Sequence, residues 1–276
     1  MIRGTTQLIP LFGDPITPVQ APMIYNPYCE AKGIDAVVVP LGVVPDDYAV
    51  ALRMMFRMTN TLGAIVTMPH KRATVGLLDA VSPRVVAAGS CNAIVRRADG
   101  SLFGDLFDGV GFVKALLRNG FTVSGTRCLV VGAGGVGSAI ALALAAAGAR
   151  QLAISDIAPG HAEAVVARLR QHHPELASGA GPNDPAGFDL VVNASPLGMT
   201  TGDPLPVDAL RLESATFVAE VVMKPDVTPL LAVARQRGCR TQPGIDMLFE
   251  QIPLYLELFG LGHASSDELR AVARLR

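Results

Sequence analysis

The stretch VVGAGGVGSAIALALAAAG, residues 130–148, decides the fold of this 276-residue chain. Gly132, Gly134 and Gly137 have the spacing GxGxxG, directly after a short apolar strand and directly before an Ala-rich helix. In this context the first glycine allows a tight turn and the second lets the backbone approach a pyrophosphate at the helix N-terminus. The third lets the helix pack closely on the strand. The stretch therefore predicts a Rossmann-like, dinucleotide-binding unit.

An acidic residue follows the next predicted strand at the place where such a unit contacts the adenosine ribose. The run QLAIS, residues 151–155, leads into Asp156, about twenty residues after the glycines. A carboxylate there accepts hydrogen bonds from the ribose 2'-hydroxyl of NAD and repels the 2'-phosphate of NADP. The alternative is a surface aspartate that starts a turn before Pro159. No lysine or arginine occurs in SDIAPGHAEAV, so we expect NAD rather than NADP.

The composition excludes several classes of protein. Half of the residues are apolar, which is enough for one large core or two smaller ones, and the length slightly favours two domains. The formal net charge is -1 without long runs of one sign, so no nucleic acid or anionic membrane is expected as a partner. Four cysteines without CxxC spacing and a start without a long apolar segment favour a reduced, cytoplasmic protein. The histidines have no metal-ligand spacing, so we expect no metal.

The order of the apolar runs predicts two α/β units. Short strand-like runs alternate with helical stretches up to about residue 105, which indicates a parallel or mixed sheet with crossover helices. A second series begins at Arg127, and its continuously apolar runs are typical of strands covered on both faces. Thr228 predicts the start of a late helix, and a further apolar helix after Gly244 should be broken or kinked near Pro253.

The stretch AIVTMPHKRATV, residues 64–75, places polar residues where α/β proteins bind ligands. Thr67, His70 and Lys71 fall in a predicted turn at the carboxyl end of a strand. Only four of the 23 basic residues are lysine, and a lysine can release a proton whereas an arginine cannot. The alternative is a solvated lysine at a helix start. His70 is either a base or a structural residue.

Eight short motifs occur together in one order along the chain. They are GDPI from Gly13, VTMPHK from Val66, GSCNAIV from Gly89, GxxxDGVGF from Gly104, GAGGVG from Gly132, NASPLGM from Asn193, KPDVTPLL from Lys224 and GIDMLFEQ from Gly244. In these motifs the sequence resembles the shikimate dehydrogenase family over almost its whole length.

The resemblance implies a two-domain α/β fold with the ligands in a cleft between the domains. Residues 1–107 would form the substrate-binding domain, completed by C-terminal helices in 243–276, and residues 108–242 the Rossmann-like domain. Members of the family oxidise the C3 hydroxyl of shikimate or quinate reversibly with NAD(P). The partner would be a small hydroxylated ring, and a monomer and a homodimer both remain open.

The resemblance also implies roles for individual residues. Lys71 and Asp108 would be the catalytic pair, with Lys71 as the general base and Asp108 as the group that orients it. Thr67, Asn92 and Gln251 would contact the hydroxyls or the ring of the substrate. The cofactor would be lined by Gly132, Ala133, Gly134, Gly135, Val136, Gly137, Asp156, Asn193, Ala194, Ser195, Val221 and Gly244.

The chain departs from the family in the substrate pocket. Two family serines that bind the substrate carboxylate are replaced by Val19 and Ala21, and a family tyrosine that helps to hold the same end of the substrate is replaced by Met223. Ile65 and the pair Leu106-Phe107 also stand where the family has polar residues. Because several charge-assisted contacts are missing, we expect weaker shikimate binding unless Thr17, Gln20 or backbone amides replace them.

Three functions agree with this pattern. The first is an NAD-dependent dehydrogenase of the shikimate and quinate type with an altered substrate, whose ring substituent is not held as a carboxylate. The second is an ordinary shikimate dehydrogenase of aromatic amino acid biosynthesis. The third is a non-catalytic, NAD-binding sensor, and the retention of Lys71 and Asp108 argues against it.

Overall fold

A computed structural model describes residues 2–275, which form two compact α/β units. The first unit consists of the chain up to Phe107 together with the segment from Phe249 onward, and the second is Asp108–Leu248. The expected α/β class with two units is confirmed. The sequence division grouped residues 243–248 with the C-terminal helices, whereas the structure groups them with the second unit.

The first unit contains a mixed six-stranded sheet with the order β2-β1-β3-β5-β6-β4. β1 runs parallel to both β2 and β3, whereas β5 is antiparallel to β3 and to β6. The sequence pattern left a parallel or a mixed sheet open, and strand pairing decides for the mixed one. The strands are β1 Gln7–Gly13, β2 Ala36–Gly42, β3 Gly63–Val66, β4 Ala80–Val81, β5 Ala93–Arg96 and β6 Leu102–Asp105.

Short helices connect these strands, and three of the four begin with proline. A proline is favoured at the first helical position because its fixed φ suits the helix and the missing N–H is not needed there. The first of them also ends on Gly33, which adopts the left-handed conformation with φ 67°. The helices are α1 Pro22–Lys32, α2 Pro45–Met55, α3 Lys71–Val75 and α4 Pro83–Ala88.

The second unit is built on an all-parallel six-stranded sheet with the order β12-β11-β10-β7-β8-β9. On one face Leu129, Val191 and Val218 pack in a buried cluster with Leu230 and Leu231. Continuous burial of this kind explains why the strand sequences are apolar without alternation. The strands are β7 Arg127–Val131, β8 Gln151–Ser155, β9 Ala177–Ala180, β10 Leu190–Asn193, β11 Phe217–Glu220 and β12 Arg240–Gln242.

The helices of the second unit are α5 Asp108–Arg118, α6 Gly135–Ala146, α7 His161–His172 and α8 Pro229–Gln236. Gly109 of α5 lies so close to the carbonyl of Ala139 in α6 that a Cβ at Gly109 would overlap it, so α5 and α6 are in direct backbone contact. Thr228 caps α8 as the sequence predicts, because its side chain accepts a hydrogen bond from the Leu231 N–H.

Two further helices, α9 Gly244–Leu258 and α10 Ser266–Val272, complete the chain. The boundary between the two units falls within α9, after Leu248. Pro253 lies inside α9 and does not break it, so of the expected break or kink the break is wrong. Within residues 2–275, no helix is both long enough and apolar enough to cross a membrane.

Candidate functional site

Lys71 is fixed in a strand-to-helix turn of the first unit. β3 ends at Val66, after which the Thr67 N–H donates to the Phe12 carbonyl at 2.8 Å. Lys71 is the first residue of α3, and its carbonyl accepts a hydrogen bond from the Cys91 N–H at 2.9 Å. Only 8% of Lys71 is exposed, so the alternative of a solvated lysine at a helix start is wrong. Thr67 and Lys71 therefore lie at the carboxyl end of β3, where the sequence pattern places them.

His70, in the same turn, is held by packing rather than aimed at a ligand. Its ring stacks on that of Tyr48 with the centroids 4.1 Å apart, and its Nε2 lies 2.8 Å from the Val43 carbonyl oxygen. The side chain is buried, and this burial lowers the pKa of His70 below its ordinary value. Of the two roles left open by the sequence, the contacts support the structural one.

Asn92 is locked in place by its backbone and by one half of its amide. Its carbonyl accepts hydrogen bonds from the Val66 N–H at 2.9 Å and from the Tyr255 hydroxyl at 3.2 Å. Its side-chain Oδ1 accepts from the Phe107 N–H at 3.0 Å. The residue is 1% exposed, and its Nδ2 has no hydrogen-bond partner among the described residues. A buried donor without an acceptor costs free energy, so this N–H group suits a polar ligand atom.

Gln251 lies in α9, one helical turn before Tyr255. It is buried, and Tyr255, whose hydroxyl contacts the Asn92 carbonyl, follows it four residues later. Residues four apart on a helix share one face. Gln251 therefore shares a face of α9 with Tyr255, whose hydroxyl contacts Asn92.

The loop before α1, residues 14–21, contains no lysine or arginine in place of the missing serines, and its charged residue is Asp14. Ala21 is buried at the start of α1, where its carbonyl accepts from the Ile24 and Tyr25 N–H groups, and Val19 is partly exposed. The Gln20 side chain is buried and donates through Nε2 to the Pro18 carbonyl at 3.1 Å, so this donor is used within the loop.

Apolar side chains also occupy the other departures from the family pattern in this unit. Ile65, Leu106 and Phe107 are all buried. The Phe107 ring packs edge-on against Tyr255, with the centroids 4.9 Å apart. The walls next to Asn92 are therefore apolar where the family has amide and hydroxyl groups.

A polar cluster that the sequence motifs do not indicate is centred on Asp105, at the end of β6. The Asp105 carboxylate accepts hydrogen bonds from the Ser82 hydroxyl at 2.6 Å and from two nitrogens of Arg84, Nη2 at 2.6 Å and Nε at 3.1 Å. The Arg84 guanidinium lies 5.5 Å from the centre of the Phe107 ring. The parallel pairing of β4 with β6 brings the residues after β4 next to Asp105, and no local sequence motif indicates this contact.

Asp108, the predicted partner of Lys71, directly follows Phe107 and begins α5. It belongs to the second unit and is 3% exposed. A buried carboxyl at the start of a helix is favoured by the helix dipole. Its chain neighbour Phe107 belongs to the first unit, where the Phe107 N–H donates to Asn92 Oδ1.

The glycine turn has the geometry that its spacing predicts. Gly132 has φ 105°, a left-handed conformation that favours glycine. A Cβ at Gly137 would overlap the Gly132 carbonyl oxygen, so helix and turn approach as closely as the motif requires. A Cβ at Gly134 would meet no atom within 4 Å, which leaves the N-terminus of α6 open to a ligand. Ala133 lies in the same turn, and Gly135 and Val136 are the first two residues of α6.

Asp156 is connected to the glycine turn. Its Oδ2 accepts a hydrogen bond from the Ala133 N–H at 2.6 Å, and its Oδ1 accepts from the Ala158 N–H at 2.8 Å. His161 Nδ1 lies 3.7 Å from Oδ1. The carboxylate therefore stands beside the predicted pyrophosphate turn, and it also organises the turn that follows β8.

The remaining predicted cofactor residues lie at or just after the carboxyl ends of β10, β11 and β12. The Ala194 N–H donates to the Val131 carbonyl at 2.7 Å, which brings the loop Asn193–Ser195 against the glycine turn. The Val221 N–H donates to the Asn193 carbonyl, and Gly244 approaches the Val222 carbonyl too closely for any side chain. Met223 follows in this segment and is partly exposed. The second unit thus brings these predicted residues to one edge of the sheet.

The second unit has an all-parallel sheet with a glycine turn, and the first unit holds a buried lysine and a buried asparagine. Together these features define a nucleotide-dependent oxidoreductase of the two-domain type. A family model described as the shikimate dehydrogenase substrate binding domain matches residues 11–94, and the ThiF family model matches residues 121–158. A shikimate dehydrogenase (NADP(+)) from Geobacter sulfurreducens is 37% identical over 265 residues, covering 93% of this chain and 92% of the relative. The chain belongs to the shikimate dehydrogenase family.

Two solved structures share this fold over nearly their full length. Shikimate 5-dehydrogenase from Listeria monocytogenes, solved with shikimate and NAD, has a TM-score of 0.88 and 27% identity, covering 98% of this chain and 97% of the other. The ligand-free 5-ketofructose reductase of Gluconobacter sp. strain CHM43 has a TM-score of 0.85 and 27% identity, covering 97% and 98%. The chain is therefore an oxidoreductase of the shikimate dehydrogenase type, as the motifs predict.

Proposed function

We propose that this enzyme oxidises a secondary alcohol of a hydroxylated ring to a ketone, reversibly and with NAD, and that its ring substituent is not bound as a carboxylate. The observation behind this proposal is the contrast within the first unit. Lys71, Asn92 and Gln251 are present and buried, whereas Val19 and Ala21 replace the serines of the carboxylate grip.

The proposed chemistry assigns one task to each retained residue. Oxidation of a secondary alcohol removes a hydride from carbon and a proton from oxygen, and the nicotinamide supplies the hydride acceptor when it is bound. Lys71 takes the hydroxyl proton, and Asp108 orients the lysine and binds a substrate hydroxyl. Asn92 offers its Nδ2 donor to an adjacent substrate oxygen, since its Oδ1 is already bonded to the Phe107 N–H.

The glycine turn supports a dinucleotide as the cofactor. Gly134 leaves the N-terminus of α6 open, and backbone N–H groups at a helix N-terminus bind a pyrophosphate. The preference for NAD over NADP rests on Asp156, whose carboxylate lies next to the turn and would repel a 2'-phosphate. Relatives are named for NADP(+), so a preference of this chain for NAD would be a departure from them, and the assay below measures it.

Two substrate classes are candidates. The first is a shikimate-like or quinate-like ring with a neutral substituent, in line with the apolar loop. The second is a keto sugar or the corresponding polyol, because a neighbour of high structural similarity is named 5-ketofructose reductase and its named substrate has no carboxylate. An ordinary shikimate dehydrogenase, in which other groups bind the carboxylate, is the alternative to both. The sensor hypothesis is set aside because the family is one of dehydrogenases.

The test is the initial rate of NADH formation or consumption with shikimate, quinate, shikimate methyl ester and 5-ketofructose, each paired with NAD(H) and NADP(H). The proposal expects the highest kcat/KM for a neutral substrate with the NAD(H) pair. Efficient turnover of shikimate at low concentration would favour the ordinary enzyme and contradict the altered preference.

The role of Lys71 has a matched control. Lys71→Ala should reduce kcat on the best substrate by about 10² to 10⁴-fold, the usual contribution of a general base. Lys114, an exposed lysine of α5, provides Lys114→Ala as the control, which should retain wild-type turnover. Wild-type kcat in Lys71→Ala would exclude Lys71 as the base.

A further inference from the structure

Two buried polar residues end neighbouring strands of the second unit. Asn193 is the last residue of β10 and Glu220 the last of β11, and they are partners in the parallel register. Asn193 is 1% exposed and Glu220 is 0% exposed. The Asn193 Nδ2 lies 3.4 Å from Glu220 Oε2 and donates to the Leu197 carbonyl at 2.9 Å. The sequence analysis did not single out Glu220, although it is a lone acid in the apolar run TFVAEVV.

The Asn193 amide organises the loop that follows it. Its Oδ1 accepts hydrogen bonds from the Ser195 hydroxyl at 2.6 Å and from the Ser195 N–H at 3.1 Å. The Ser195 hydroxyl in turn accepts from the Leu197 N–H at 3.3 Å. One amide orientation satisfies all of these contacts, and a flipped amide would place donors against donors.

This loop is packed from two sides. On one side, a Cβ at Gly132 would lie 2.7 Å from both the Ala194 carbonyl carbon and the Ser195 nitrogen, so the loop rests against the glycine turn. On the other side, Gly198 has φ 99°, and a Cβ built on it would lie 3.4 Å from the Thr228 Cβ. A shift in the loop would therefore move atoms that touch the proposed pyrophosphate turn.

Glu220 lies next to this loop, where its Oε2 accepts from the Asn193 Nδ2. Its Oε1 has no hydrogen-bond partner among the described residues. Burial raises the pKa of Glu220, and hydrogen bonds from Thr228 and Asn193 and the charge of Arg235 act in the opposite direction. A buried carboxyl is unfavourable compared with an apolar side chain, and the preceding residues of β11 are apolar and buried.

We propose that Glu220 is a positioning residue of the nucleotide site and acts through Asn193. Its Oε2 accepts from the Asn193 Nδ2 and so selects the amide orientation that holds the loop Ala194–Gly198 against the glycine turn. This inference rests on the proposed use of a dinucleotide at that turn. Glu220 itself does not touch the cofactor, so its effect should appear in cofactor binding and depend on Asn193.

The experiment measures the Kd of NADH and of NADPH by nucleotide fluorescence, together with thermal melting of each variant. Glu220→Met removes the acceptor at similar side-chain volume and should raise the Kd of the preferred nucleotide about tenfold, an effect typical of a lost buried hydrogen bond. Glu220→Gln retains an oxygen acceptor and should restore binding to within about twofold. Glu213→Met is the matched control, because Glu213 is exposed shortly before β11, and its Kd should equal that of the wild type.

A double-mutant cycle separates positioning from a general loss of structure. In an Asn193→Ala background, Glu220→Met should change the Kd by less than about twofold, because the amide through which Glu220 acts is gone. Fully additive effects of the two substitutions would overturn the proposal. If Glu220→Met does not fold, Glu220→Asp takes its place, because its side chain is one methylene shorter and moves the acceptor away from Asn193. A nucleotide Kd of Glu220→Asp within about twofold of the wild type would then overturn the proposal.

The two proposals fail in different ways. A wild-type protein that binds neither nucleotide would refute the proposed function. A wild-type protein that binds a nucleotide, with Glu220→Met binding it equally well, would refute only the role of Glu220.

Discussion

Serines introduced at positions 19 and 21 should shift the substrate preference of this enzyme towards rings that carry a carboxylate. In the family, serines at the positions of Val19 and Ala21 bind the substrate carboxylate. The double variant Val19→Ser, Ala21→Ser should therefore lower the KM for shikimate, with kcat changed little because Lys71 and Asp108 are untouched. The same variant should bring no gain for shikimate methyl ester, which has no negative charge to bind.

The expected gain in shikimate affinity differs between positions 19 and 21. A hydrogen bond to a charged group contributes about 1.5 to 3 kcal/mol, and about 1.4 kcal/mol corresponds to a factor of ten in affinity. Ala21 is buried and fixed at the start of α1, so a serine there should contribute near the full value, about ten- to a hundredfold. Val19 is partly exposed, so solvent screens its contact and we expect about threefold to tenfold.

The assay compares kcat/KM for shikimate and for its methyl ester in the wild type, both single variants and the double variant. Val50→Ser is the matched control, because Val50 is exposed on α2, outside the loop before α1. The reasoning predicts a gain of about a hundredfold for shikimate in the double variant. An equal gain for the ester, or a gain below about threefold for shikimate, would refute a missing carboxylate grip.

Three further predictions concern the cofactor turn and the fold. Gly137→Ala should lower the free energy of unfolding by about 1 to 3 kcal/mol and weaken nucleotide binding, because the added Cβ overlaps the Gly132 carbonyl. Gly179→Ala is the control, because a Cβ at Gly179 meets open space. Equal urea midpoints for Gly137→Ala and Gly179→Ala would contradict the overlap. Asp156→Ser should raise the ratio of kcat/KM for NADP to that for NAD about tenfold or more, and an unchanged ratio would remove Asp156 as the selective residue. Burial lowers the pKa of His70, so the unfolded chain binds its proton more readily and the free energy of unfolding should fall as the pH decreases below about 6.5. In urea titrations at pH 7 and pH 5, His70→Gln should lose less stability between the two values than the wild type; an identical loss would show that His70 does not cause it.

Local patterns determined the elements and much of the candidate site. The spacing of Gly132, Gly134 and Gly137 is typical of a strand, a turn and a helix in sequence, and Gly137 packs on the Gly132 carbonyl five residues away. The Thr228 side chain likewise accepts a hydrogen bond from the Leu231 N–H, three residues along the chain. These interactions span short separations, so their residue types can be read along the chain.

Contacts between residues distant in the sequence decided the features that local patterns left open. The order and direction of the first sheet, with β5 antiparallel between β3 and β6, are fixed by side chains that meet only after folding. The stacking of His70 on Tyr48 settled a choice that the sequence left open. The helix also continues through Pro253, although a proline removes one backbone hydrogen bond from a helix interior.

By itself, the sequence determined an α/β oxidoreductase of the shikimate dehydrogenase family with an apolar loop at Val19 and Ala21, because motifs and substitutions are properties of residue type and spacing. Only the tertiary structure decided that Asn92 keeps one buried donor without a partner within residues 2–275, that Asp105 pairs with Arg84, and that Glu220 contacts Asn193. The physical reason is that hydrogen bonding and burial depend on which strand ends become neighbours, and sequence spacing does not specify that.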